Sequence, residues 1–188
     1  LFSATRIDAA VNIKSIISGD HITIYSIDIN KPRIHAIVNK DGESNWDIVK
    51  LDTTNTTAKT TEEKPFSLAL ANYSISNGYI SYIDQPGDMK AEIVNLQHNG
   101  KGDFTSDLFT LVTHTQAESV NFVYAGIPYL SNSSANIDTD IEIDNKNNKY
   151  SFKTDKINLN QLTLASEGFF QLVNDSVYNM DIKYKAPS

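Results

Sequence analysis

The sequence predicts an all-β protein: an elongated antiparallel sheet curled into a groove or flattened barrel, with one or two short helical turns. Three observations carry this. Apolar and polar residues alternate from about Ile7 to Tyr184, the period of a strand with one buried and one wet face. No convincing amphipathic helical pattern interrupts the alternation. Turn pairs such as Asp41-Gly42 and Pro86-Gly87 punctuate it.

The elements follow in order. Ile7, Ala9, Val11 and Ile13 alternate with polar neighbours, apart from Ala10, and mark a strand. Residues 14–20 break the alternation and fit one helical turn closed by Gly19. The next strand changes apolar phase, from Ile22 and Ile24 to Ile27 and Ile29, which indicates a bulge or a change of environment. Pro32 interrupts, residues 33–38 form a third strand, and Asn45 can cap a short helical turn over residues 45–50. Residues 52–64 are polar apart from Ala58 and low in complexity, so they read as a mobile loop.

Tyr73-Ser74-Ile75-Ser76-Asn77-Gly78-Tyr79-Ile80-Ser81-Tyr82 is nearly palindromic about Asn77-Gly78. Asn-Gly is a strong hairpin signal, because both turn residues need positive φ. A hairpin there sets Ile75 against Ile80 and Tyr73 against Tyr82. After the Pro86-Gly87-Asp88 turn, strands are expected over residues 91–96, 104–115 and 118–124. A second hairpin is read from charge: a loop at residues 145–148 sets Asp144 against Lys149, Asp140 against Lys153, Ile143 against Tyr150 and Ile141 against Phe152. Residues 169–172 and 177–184 close the chain around Asn174-Asp175. One domain spans residues 1–188, and its opening in what looks like mid-strand, without Met, reads as a piece of a longer protein.

Composition narrows the function. A net charge of −7 argues against a nucleic-acid partner, which needs a basic stripe. The chain has no cysteine, which removes disulfides, zinc–thiolate centres and thiol nucleophiles. His21, His35, His98 and His114 show no metal-type spacing. Asp138, Asp140, Glu142 and Asp144 lie along one strand face, about 7 Å apart, rather than converging as calcium requires. Asp84 and Asp88 bracket a turn and shape it. No catalytic residue, metal or cofactor is assigned. Trp46 reads as an anchor at one end of the core, or as a stacking platform.

The order of motifs adds a family resemblance. Ser15-Ile16-Ile17-Ser18-Gly19-Asp20 precedes Ile22-Thr23-Ile24 and Ile27-Asp28-Ile29, then Lys31-Pro32-Arg33-Ile34, then Gly42-Glu43-Ser44-Asn45-Trp46. Ile75-Ser76-Asn77-Gly78-Tyr79-Ile80-Ser81-Tyr82-Ile83-Asp84 follows. Over roughly residues 7–100 this resembles the N-terminal part of the AsmA family, with Pro32, Gly42, Asn45, Trp46, Asn77 and Gly78 as the signature. The resemblance implies a non-enzymatic protein of the Gram-negative periplasm, held to the inner membrane by an N-terminal anchor that this sequence lacks. It implies phospholipid transport to the outer membrane, or outer-membrane assembly, through an apolar groove. Groove candidates are Tyr73, Ile75, Ile80, Tyr82, Val120, Phe122, Ile141, Ile143, Phe152, Leu162 and Leu164. The same residues would line an ordinary β-sandwich that binds carbohydrate or protein. Exposed edge strands also make self-association an expectation.

Overall fold

The computed structural model describes residues 1–18, 24–47, 71–174 and 177–186. The expected loop at residues 52–64, Gly19, Ile22 and residues 48–50 lie outside them.

The elements are β1 (Phe2–Ser3), β2 (Arg6–Val11), α1 (Ile13–Ser18), β3 (Ile24–Asn30), β4 (Arg33–Val38), β5 (Asn72–Asp84), β6 (Met89–Lys101), β7 (Leu108–Tyr124), β8 (Ile127–Asp144), β9 (Lys149–Leu159), β10 (Leu162–Asn174) and β11 (Val177–Lys185). All strands belong to one sheet. From β5 to β11 it is an antiparallel meander, each strand pairing with the next. The start of the chain departs from the expected all-antiparallel order. β3 and β4 both run parallel to β5, β3 along residues 72–76 and β4 along residues 79–84. Parallel neighbours need a long crossover, and the segment between Val38 and Asn72 supplies it. β2 and β1 pair antiparallel outside β3 and β4. The sheet curls into a partial ring with two open edges.

The hairpin read from charge is present, with Asp144 opposite Lys149, Asp140 opposite Lys153, Ile143 opposite Tyr150 and Ile141 opposite Phe152. The hairpin at Asn77-Gly78 is not. β5 runs straight through it, and the chain reverses instead at residues 85–88, where the Asp84 carboxylate accepts the Gly87 N–H at 3.0 Å. Asn77 has φ 55° while Gly78 stays out of the left-handed region, so the pair makes a bulge and not the two-residue turn. The helical turn expected after Asn45 runs into residues 48–50, outside the described residues. Residues 45 and 46 form a turn, and the Asn45 side chain accepts the Ile37 N–H at 3.0 Å and donates to the His35 carbonyl at 2.8 Å, closing the edge of β4. The expected strands 104–115 and 118–124 are joined in β7, which begins only at Leu108.

The bulge at Asn77 has partners on its neighbours. Lys31 has φ 50° at the β3–β4 junction, Asn95 φ 52° in β6, and Asn132 φ 48° in β8, while β7 slips register between Ala117 and Val120. These form a seam crossing the sheet. Polar side chains stitch it: Asn30 Nδ2 to Ser76 Oγ at 3.1 Å, Gln97 Nε2 to Asn95 Oδ1 at 3.1 Å, Asn95 Nδ2 to Glu118 Oε2 at 3.0 Å. The Asn132 N–H donates to Asn121 Oδ1 at 2.8 Å. Arg33 Nη1 donates to the carbonyls of Pro32 (3.1 Å) and Asn77 (2.9 Å), tying the junction to the bulge.

The seam keeps one face apolar. A one-residue slip moves every later side chain to the other face. Apolar residues sit at 73 and 75 before Asn77 but at 80 and 82 after it; likewise 27 and 29 become 34 and 36, and 111 and 117 become 120 and 122. Because the β3–β4 junction, β5, β6, β7 and β8 slip in the same row, directly opposed residues remain apolar on both sides. Ile7, Ile29 and Ile75 line up above the seam, and Ile34, Ile80, Ile93 and Val120 below it. The earlier phase change in β3 is also a bulge, opposite Ala10 and Val11.

No second layer covers this sheet among the described residues, since each strand contacts only its ladder neighbours. Among the described residues three hydrophobic side chains are buried (Leu96, Leu111 and Ala117) against twenty-one large exposed ones, so their burial cannot dominate stability as it does in a closed core. The buried residues lie on the apolar face, including Thr113, Thr154 and Ser166, whose hydroxyls donate to neighbouring-strand carbonyls at 3.0, 2.5 and 3.1 Å. Crowding of one face alone is what curvature toward that face produces.

Asn77→Val places a β-branched residue at φ 55°. It is expected to cost about 1–2 kcal/mol in urea unfolding, whereas Asn77→Gly stays within about 0.5 kcal/mol.

Candidate functional site

Every groove candidate lies on the apolar face. Tyr73, Ile75, Ile80 and Tyr82 come from β5 and Val120 and Phe122 from β7. Ile141 and Ile143 follow from β8, Phe152 from β9, and Leu162 and Leu164 from β10. The face continues beyond them. Phe109 opposes Ile143, Phe170 opposes Tyr150, and Met180 opposes Phe170, so β11 extends the surface. The Phe170 and Tyr178 rings stack at 5.3 Å.

At one end of the face, Ile27, Ile29, Tyr73, Ser74, Ile75 and Phe104 line an open cavity of about 300 Å³. Phe104 belongs to the loop before β7, and its ring meets Tyr73 edge-on at 6.2 Å and Phe109 at 4.9 Å. Sequence reading placed Phe104 at the start of a strand; only the fold brings it over β5. Gly100 makes room for this group. A Cβ there would lie 2.5 Å from Tyr73 Cε1, so only glycine lets the ring lie flat on β6.

Beneath the cavity runs the one polar chain of this region: Tyr73 Oη lies 2.9 Å from His98 Nε2, and His98 Nδ1 lies 2.8 Å from Thr115 Oγ1. Burial, with the nearby His114 adding to it, lowers the His98 pKa, and burial raises that of Tyr73. Both groups are therefore neutral at neutral pH. Each imidazole nitrogen has a hydroxyl partner, so His98 is a satisfied half-buried residue. No groups of three or more metal-ligating side chains occur among the described residues.

The signature residues gather in two places. Pro32 is buried at the β3–β4 junction, and its carbonyl accepts the Tyr79 N–H at 2.9 Å beside Asn77 and Gly78. Gly42 (φ 81°), Asn45 and Trp46 lie past the end of β4. The Trp46 ring sits 6.3 Å from Tyr82 and is 44% exposed, so it borders the apolar face rather than filling a core.

The opposite face is charged. Asp140, Lys153, Glu167 and Lys183 oppose one another in sequence across β8 to β11, so the sign alternates from strand to strand. Lys149 Nζ lies 4.5 Å from the Phe169 ring centre. A cavity of about 510 Å³ on this side is lined by Lys101, His114, Asp138, Asp140, Lys153 and Lys156, among others. Its mixed charges favour neither cation nor anion.

As pH falls, the unfolded chain protonates His98 first, near its ordinary value of about 6.5, while the folded chain resists. Stability is expected to hold above that value and to decline below it. Urea midpoints at pH 7.5 and 5.5 check this, and His98→Gln, which keeps both hydrogen bonds but does not titrate, should shrink the difference.

No family model, curated protein or solved structure matches this chain.

Proposed function

We propose that this chain is a non-enzymatic lipid-handling module whose apolar face carries the acyl chains of phospholipid. One observation carries the reading: the apolar face runs from β2 to β11 and no other part of the described chain covers it. Soluble proteins rarely leave contiguous apolar surface of that extent without a partner. An acyl chain offers no group for directional recognition, and aliphatic and aromatic side chains suffice to hold it by excluding water. Charges on the opposite face keep that side wet. The AsmA-like motif order supports a fuller version, in which the module works in the Gram-negative periplasm, is held to the inner membrane through an N-terminal anchor, and takes part in phospholipid transport to the outer membrane or in its assembly. No helix among the described residues is long and apolar enough to cross a membrane. The β-sandwich alternative has less support, because the described residues form one sheet and not two packed sheets.

Native mass spectrometry of protein purified from bacterial envelopes should detect bound phospholipid. Ile75→Asp and Phe122→Asp put a carboxylate on the apolar face and are expected to cut occupancy at least about tenfold. Val112→Asp, on the charged face of β7, should leave it unchanged. A lipid-free mass for folded wild-type protein refutes the reading.

A further inference from the structure

We propose that the cavity behind Phe104 receives the methyl end of an acyl chain, and that Phe104 is the stop that sets how long a chain this face accepts. The proposal rests on the lipid reading above and adds to it a direction and a length limit.

The cavity suits hydrocarbon and nothing polar. Ile27 and Ile29 of β3, Tyr73 and Ile75 of β5, and Phe104 line it. Its volume of about 300 Å³ is at the lower end for small-molecule sites, so it holds part of a lipid rather than a whole one. The polar side chains around it are already engaged. Tyr73 Oη and His98 Nε2 are bonded to each other, and His98 Nδ1 to Thr115 Oγ1. The Ser74 hydroxyl donates to Asp28 Oδ1 on the opposite face of the sheet. A phosphate, glycerol or ester placed here would give up water and find no partner, which is costly. A chain end gains by leaving water and asks for no partner. Of the parts of a phospholipid, the methyl end is therefore the one that belongs in this cavity.

Phe104 closes the cavity because its loop is tied down. The residue precedes β7 and is free of the ladder, so its ring lies over β5 instead of following the strand alternation. The Asp103 carboxylate accepts the Thr105 N–H at 3.1 Å and the Thr105 and Ser106 hydroxyls at 2.5 and 2.9 Å. The Gly102 N–H donates to the Ala71 carbonyl at 3.2 Å, which joins the loop to the start of β5. Phe104 is half-buried, while Asp103 and Thr105 on either side of it are exposed. Past it the loop is charged, with Asp107 paired to Lys146 at 3.1 Å. A chain that outgrows the cavity must push the Phe104 ring off Tyr73 and Phe109, or run its methyl end out among charges and water.

Single-chain lysophosphatidylglycerols test this, in a saturated series from decanoyl to stearoyl, titrated by native mass spectrometry below their micelle concentrations. Wild-type affinity is expected to rise about fourfold per methylene and then to level off once the methyl end meets Phe104. Phe104→Ala removes the stop and should restore the rise, so that the stearoyl probe gains at least about tenfold. Ile29→Phe fills the cavity and should cost the longer probes about tenfold while sparing the shortest. An unchanged circular dichroism spectrum confirms that each variant folds. A bromine on the probe reads the direction. In protein carrying Phe104→Trp and Trp46→Phe, bromine at the terminal carbon should quench tryptophan emission more than bromine beside the ester. A plateau at the same chain length in both folded variants, or quenching that is equal or reversed, overturns the end stop and leaves lipid binding standing. Failure of folded wild-type protein to bind any member of the series overturns the lipid reading and the end stop together.

Discussion

A sheet one layer thick must satisfy its backbone from its own neighbours and shelter its apolar side chains with one another. In this protein both demands meet at the seam of bulges through Lys31, Asn77, Asn95 and Asn132. Each strand that the seam crosses carries a slip in its apolar alternation, and a slip on one strand alone would turn half of that strand inside out. Placed in a row, the slips cancel, and the apolar face continues from one end of the strands to the other. The asparagines suit the task twice over. Their backbone tolerates the left-handed conformation, and their amides bond across to the neighbouring strand, as Asn95 donates to Glu118 and Asn77 accepts from Gln97.

The same constraint explains the polar groups on the apolar face. Thr113, Thr154 and Ser166 are among its most buried side chains, and each hydroxyl donates to a carbonyl of the adjoining strand. Their small size lets larger neighbours close over them, while the bonds avoid the cost of an unpaired buried hydroxyl. Tyr73, His98 and Thr115 form a similar satisfied chain beneath the cavity. The opposite face needs none of this, because water solvates its alternating Asp, Glu and Lys.

Much of this was legible in the sequence. Period-two alternation gave the strands, and the charge pattern from Asp140 to Lys153 set a register that the fold keeps, up to a shift between Asp138 and Asp140. Two features were ambiguous for physical reasons. A hairpin and a single bulge at Asn77-Gly78 both put Ile75 and Ile80 on one face, so alternation does not separate them. The difference lies in whether one residue or two adopt positive φ, and in partners distant in the chain, His98 and Leu96 for β5. The parallel placement of β3 and β4 beside β5 depends on a long crossover that leaves no local periodicity. Phe104 was misread for a related reason: it reaches the face from a loop, where alternation says nothing. All the groove candidates share one face because alternation assigns faces, but it does not count layers.

The central claim is that this face is uncovered. Isoleucine-methyl NMR with a soluble gadolinium chelate tests it directly. Ile75 and Ile80 come from β5 and Ile141 and Ile143 from β8, two well-separated strands of the face. If the sheet is a single open layer, their methyl signals broaden together, to an extent comparable with the exposed Ile7 and Ile182 at the edges. If these methyls stay sharp while the edge residues broaden, a second layer covers them, and the account of an open apolar face is wrong.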